Sequence, residues 1–213
     1  MKNNLKKMNK KGGYTIIETM IAIAVFLVLI MTGMTTLVNA FSVHKKSQNM
    51  RSEMDNLSFI LEDMSRNLRT GTQFYCLNNY DNDSFMTSNI NQRKSSPVDI
   101  GGTRQICWGI AFEAASGGSD PQDQWVYYID GNGAIQKAVM GPYTEPLNFN
   151  TLTPPEVILN PVSGFYIFGA EAIPGDKQQP FIKIILAGSV SDRGVTSPFS
   201  LETVVSSRAI DTF

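Results

Sequence analysis

Between Tyr14 and Val43 the chain runs for 30 positions with no lysine or arginine and one acidic residue, Glu18. As a helix this stretch measures about 45 Å against a hydrocarbon core of about 30 Å, so it can cross a bilayer and emerge beyond it. Further on, Val43, Met50, Met54, Leu57, Leu61, Met64 and Leu68 recur at intervals of three, four and seven, which puts them on one stripe of a continuing amphipathic helix. The pattern predicts a single helix from about Tyr14 to Arg69, ended by Gly71 behind a basic last turn. The stripe is under four heptads long and a β-rich region follows, which favours packing on the chain's own sheet over a coiled-coil seam.

From Gln105 onward the pattern changes to period two. The stretch QWVYYIDGNGAIQKAV (124–139) alternates on both sides of Gly131 and Asn132 and predicts a β-hairpin. FYIFGAE, PFIKIILAG and FSLETVVSS add three strands, with Ile182, Ile184 and Leu186 on one face, and Phe199, Leu201, Thr203 and Val205 on one face of the last. Residues 78–104 and 141–163, rich in Asn, Ser, Gly and Pro, read as surface loops. The expected fold class is α+β: a long N-terminal helix packed on a C-terminal antiparallel β-sheet head.

Charge adds an orientation. The chain is close to neutral, at −1, but residues 1–13 hold five lysines and no acid, and without them 13 basic side chains face 19 acidic ones. Lysines before the apolar stretch outnumber Lys45 and Lys46 after it, so the positive-inside rule keeps the N-terminus in the cytoplasm and exports the rest. An exported body at −6 repels phosphates, and no bulk nucleic-acid binding is expected. The two cysteines, Cys76 and Cys107, would both reach an oxidising space and read as a disulfide, with two buried free thiols as the alternative.

An ordinary secretory signal is cut after its apolar segment. Here the small residues, Gly12 and Gly13, come before it. Cleavage after Gly13 would remove the lysines, keep the anchor and leave Glu18 one turn inside the new N-terminus at Tyr14. A carboxylate at mid-bilayer costs roughly 2.5–3.5 kcal/mol on insertion scales, which prompts a search for its partner. The span itself offers no basic side chain. One candidate is the α-amino group at Tyr14 of a neighbouring copy; the other reading seats Glu18 at the interface, favoured by the helix dipole and needing no partner.

Taken together, the basic leader, Gly13, the aromatic Tyr14, Thr15 and Glu18 resemble the N-terminus of type IV prepilins and of type II secretion pseudopilins. The resemblance implies cleavage between Gly13 and Tyr14 by a prepilin peptidase, methylation of the Tyr14 amine, and pairing of Glu18 with the N-terminus of an adjacent subunit during filament assembly. It implies a leader at 1–13, a membrane and filament-core helix at 14–43, an amphipathic helix at 44–70 and a globular head at 71–213. The partners would be prepilin peptidase, other pilins or pseudopilins of the same filament, and inner-membrane lipid before assembly, with the final location an extracellular or periplasmic filament. Thr35 stands where many major pilins carry a helix-bending proline, which points to a minor subunit. SRNLRTGT, VYYIDGNGAIQKAV and LETVVSSR resemble, in that order, the heads of J-type minor pseudopilins and W-type minor pilins.

No catalytic pattern accompanies these features: there is no GxSxG, P-loop or HExxH, and His44, the only histidine, sits beside Lys45 and Lys46 at the membrane edge. Glu62 and Asp63 are adjacent on a helix and read as solvated surface. Asp81 and Asp83 are weak calcium candidates, and Asp130 to Gly133 reads as a turn, since neither stretch has the closing glutamate of an EF-hand. Neither an enzyme nor a cofactor is expected. The rival function is a membrane-tethered adhesin or a ligand- or DNA-binding module that uses the same leader, with Phe74, Tyr75, Tyr80 and Tyr143 as exposed aromatics.

Overall fold

The computed structural model of the protein describes residues 12–77, 93–115, 123–141, 148–171, 178–192 and 195–208. The chain divides into two compact units, Met1–Ser47 and Gln48–Phe213. Helix α1, Ile16–Thr70, begins in the first and ends in the second. Nine strands follow: β1 Thr72–Leu77, β2 Gly109–Glu113, β3 Trp125–Ile129, β4 Ile135–Ala138, β5 Asn150–Thr151, β6 Val157–Leu159, β7 Gly164–Phe168, β8 Phe181–Asp192 and β9 Val195–Ser206.

In the first unit every described side chain is exposed. A helix apolar all round with nothing covering it needs either lipid or other helices. Its hydroxyls turn inward on its own backbone: Thr35 donates to Met31 O at 2.9 Å, Thr36 to Thr32 O at 2.9 Å and Ser42 to Val38 O at 3.0 Å. Such bonds let Ser and Thr enter an apolar medium without an unmet donor.

The second unit holds the core. The strands form two antiparallel sheets where the sequence predicts one. The first has the order β1-β2-β3-β4-β5. In the second, β9 pairs along all of β8, while the opposite edge of β8 is shared by β7 near its start and β6 near its end. Leu57, Ile60, Met64 and Leu68 of α1 meet Phe74, Ile110, Phe112, Tyr127 and Ile129 of the first sheet and Phe165, Ile167, Ile182, Ile184 and Leu186 of the second in one buried cluster. From Met50 onward the predicted stripe therefore does pack on the chain's own strands, whereas Val43, its first member, is exposed; Ile182, Ile184 and Leu186 share the buried face as expected.

Two of the predicted surface loops need correction. Residues 141–163 contain β5 and β6, and Val157 and Leu159 of β6 are buried. Within 78–104, Ser95 and Ser96 are buried rather than on a surface loop. Ser96 N–H donates to Ile167 O at 2.9 Å, and its hydroxyl accepts from Ile167 N at 2.8 Å, so this segment is strapped across the second sheet. Gly71 ends α1 as expected, with a φ that is not left-handed. An added Cβ would collide with the Phe112 ring, so close approach is what selects glycine there. The carbonyls left over at the helix end are met from the residues just after β9, by Arg208 N–H to Arg69 O at 2.7 Å and Ser207 Oγ to Gly71 O at 3.0 Å.

Asp63 is not solvated surface either. It accepts from Lys137 Nζ at 2.8 Å, Tyr127 OH at 3.1 Å and Asn67 Nδ2 at 3.2 Å, and the Lys137 ammonium lies 4.7 Å from the Trp125 ring centre. Partial burial pushes the Asp63 carboxyl up, but the hydrogen bond and charge of Lys137, with Tyr127 and Asn67, outweigh it and hold the group below its ordinary value of 3.8. A carboxylate depressed in the folded state stabilises the fold above its unfolded value, and that stability fades as pH falls through the folded value. The detergent-solubilised full chain should therefore lose resistance to urea as pH drops below about 4. Asp63→Asn should be weaker at pH 7 and should flatten the decline; an unchanged acid slope would remove Asp63 from this role.

Candidate functional site

The first turn of α1 is built by its own sequence. Gly12 to Thr15 are non-helical, and Thr15 is the N-cap: its carbonyl accepts from Glu18 N at 3.1 Å and Thr19 N at 3.2 Å, while its hydroxyl accepts from Glu18 N at 3.3 Å. Thr-Ile-Ile-Glu thus makes half a capping box, a cap that the sequence expectations above omit although its spacing is the signal for it. The returning half, from the Glu18 carboxylate to the Thr15 N–H, is not made. Among the described residues that carboxylate has no partner, although the helix dipole favours it in the first turn.

The glycines before it fit no internal demand. A Cβ built on Gly12 or Gly13 meets nothing within 4 Å. Tyr14 and Ile16 are each 82% exposed. Among the described residues the site is therefore an N-terminal helical turn with an unpartnered carboxylate, leading into an exposed apolar helix.

The other predicted residues separate from it. Cys76 in β1 and Cys107 just before β2 are bonded to each other, with Cα atoms 5.5 Å apart, and both are fully buried. Cys107 also exchanges backbone hydrogen bonds with Phe165 of β7, at 2.8 and 2.9 Å, so the disulfide lies where the first sheet joins the second. Ser96 Oγ, 2.9 Å from Cys107 Sγ, must donate, because a disulfide sulfur carries no hydrogen.

Asp130 turns the β3–β4 connection as expected: Oδ1 accepts from Asn132 N at 2.9 Å and Ala134 N at 2.8 Å, and Oδ2 from Gln136 Nε2 at 2.9 Å. The positive φ falls on Gly133, so the reversal spans more than Gly131 and Asn132. Asp81, Asp83, Tyr80 and Tyr143 lie outside the described residues, as do the leader lysines. Phe74 is buried in the core, and Tyr75 is half-buried beneath the Lys94 ammonium, which corrects their reading as exposed binding aromatics. His44 is exposed on α1. Among the described residues no three His, Cys, Asp or Glu side chains gather as a metal would need.

Comparison with known proteins bears on the N-terminal segment alone. Residues 8–34 match the family described as the prokaryotic N-terminal methylation motif. No curated protein matches the chain significantly, and no solved structure does. The match takes in the glycines, Tyr14, the Thr15 cap, Glu18 and the first half of the exposed helix. The chain thus carries a type IV prepilin-like methylation motif on one long apolar helix, followed by antiparallel sheets in a pilin-like layout. That helix is long and apolar enough to cross a membrane, the one such among the described residues.

Proposed function

We propose that the protein is a minor pilin or pseudopilin, a non-enzymatic subunit of a type IV pilus or type II secretion-like filament. In this reading prepilin peptidase cuts between Gly13 and Tyr14 and the new amine is methylated. The anchor waits in the inner membrane with the head exported, then moves into a filament beside other pilins. The observation that carries it is Glu18: a carboxylate at the start of an apolar helix, making no capping bond and unpartnered among the described residues, inside a matched methylation motif. An amine on the next subunit is the group such a carboxylate lacks.

The minor class is supported by Thr35, whose hydroxyl bonds Met31 O within an unbroken helix at the place where many major pilins have proline. The J- or W-type assignment rests on the order of head motifs. A tethered binding module is the weaker reading, because Phe74 and Tyr75 are taken up in packing.

Mass spectrometry of the membrane-extracted protein tests the proposal at its root. The expected N-terminus is Tyr14 bearing a methyl group. A native chain that retains its lysines, or begins beyond Val43, would overturn it.

A further inference from the structure

The second unit carries two charged grooves beside the same helix. One is lined by Glu62, Arg66, Arg69 and Arg208 together with Ser65 and Thr70. Glu62 engages Arg66 at 3.2 Å, both side chains being largely exposed. Arg69 and Arg208 are exposed, and among the described residues their guanidinium groups have no acid. They are held side by side because the Arg208 N–H caps Arg69 O at 2.7 Å. The other groove is lined by Glu53, Glu156, Asn49, Ser52 and Val190. Among the described residues Glu53 receives only Asn56 Nδ2, at a long 3.4 Å, and Glu156 is exposed with no base beside it. The first groove has two cationic groups left over, and the second two anionic ones.

Their placement matters as much as their sign. Counting about 100° per residue, Glu62, Arg66 and Arg69 lie on the face of α1 opposite the buried Leu57–Met64 stripe, whereas Glu53 lies along that stripe, turned by roughly 140–160° from Arg66 and Arg69. Glu53 and Arg66 are also thirteen positions apart, about 20 Å along the axis. Complementary patches that face opposite ways cannot meet across a two-fold axis. They meet when copies stand side by side and displaced lengthwise, in a heterologous contact. Arginine suits it, since its planar fork takes a carboxylate in two parallel hydrogen bonds.

We infer that the Arg66–Arg69–Arg208 groove of one copy receives the Glu53 and Glu156 carboxylates of a second copy of this chain, shifted along the helix axis. The inference deepens the filament reading and rests on it for its setting. Charge complementarity between the two grooves is what selects a second copy as the occupant.

The test uses the full chain in its membrane, with two differently tagged copies co-expressed and Arg69→Lys introduced so that a zero-length carbodiimide can join the new amine to a glutamate. A dimer bearing both tags, with the introduced lysine linked to Glu53 or Glu156, is expected. Glu53→Gln with Glu156→Gln should lower its yield about tenfold, as should high salt, since exposed charges are screened. Reversing one face with Arg69→Glu and Arg208→Glu should abolish association with the parent. Association should return with a copy carrying Glu53→Lys and Glu156→Lys, a rescue that misfolding cannot mimic.

Links from the introduced lysine only to other proteins, no link from it at all, or a yield indifferent to the glutamates would each overturn the inference. The N-terminus is read on the same samples. Processed chains without the contact sink this inference alone, whereas contact between chains that keep their leader sinks the filament reading and leaves the contact standing.

Discussion

On the proposed filament role, Glu18→Ala should leave the chain folded and anchored but exclude it from assembled filaments. The carboxylate has no partner among the described residues, so no contact of the core or of the Asp63 network is lost with it. Thr15 keeps its cap, because that bond runs to the Glu18 backbone N–H and not to its side chain. Membrane insertion becomes easier, since a residue costing roughly 2.5–3.5 kcal/mol at mid-bilayer is replaced by an apolar one. Assembly moves the other way: truncating one side of a buried ion pair typically costs about 3–5 kcal/mol and strands the remaining charge. At about 1.4 kcal/mol per decade that is a fall of at least a hundredfold in incorporation. The measurement is the subunit's abundance in sheared filaments against its abundance in membranes. Wild-type abundance of Glu18→Ala in filaments would end the pairing hypothesis.

Replacing Cys76 and Cys107 together by alanine weakens the head instead. The bond spans 31 positions. In the chain-entropy account, closing a loop of that size stabilises the fold by about 3.7 kcal/mol, a large part of the 5–15 kcal/mol typical of a domain. The loss is also local, because Cys107 is where the first sheet hydrogen-bonds to Phe165 of the second. A protein of this size should melt roughly 10 °C lower, and the wild type with strong reductant should follow. Thermal unfolding of the solubilised full chain, with and without reductant, checks both. Coincident melting curves for variant and parent would show that the sheets hold together without the bond.

The N-terminal site is legible in the sequence because its chemistry is local. An apolar run, a lysine cluster, two glycines and one acid are all visible within thirty residues. The helix stripe and the faces of β8 and β9 are legible for a related reason, since a period of 3.6 or two survives in any one segment. What escapes depends on residues far apart in sequence. Alternation tells which face of a strand is buried but not which strand lies beside it, so two separate sheets read as one. β1 has irregular burial, with a break in register between Thr72 and Tyr75 and a positive φ at Gln73, and it shows no clean alternation. β6 is three residues long beside Pro154 and Pro155, too short for a period to declare itself. Asp63 looks like its neighbour Glu62, and only Tyr127 and Lys137, more than sixty positions away, distinguish them.

The inward-turned hydroxyls of Thr32, Thr35, Thr36 and Ser42 bear on how such a subunit would leave the bilayer. A side chain that bonds its own backbone has nothing to exchange when lipid tails give way to the flanks of other helices. Extraction along that stretch swaps one apolar contact for another and is close to neutral in polar terms. The decision to stay or to polymerise would then fall to the one acidic side chain near its start, a latch on an otherwise indifferent shaft.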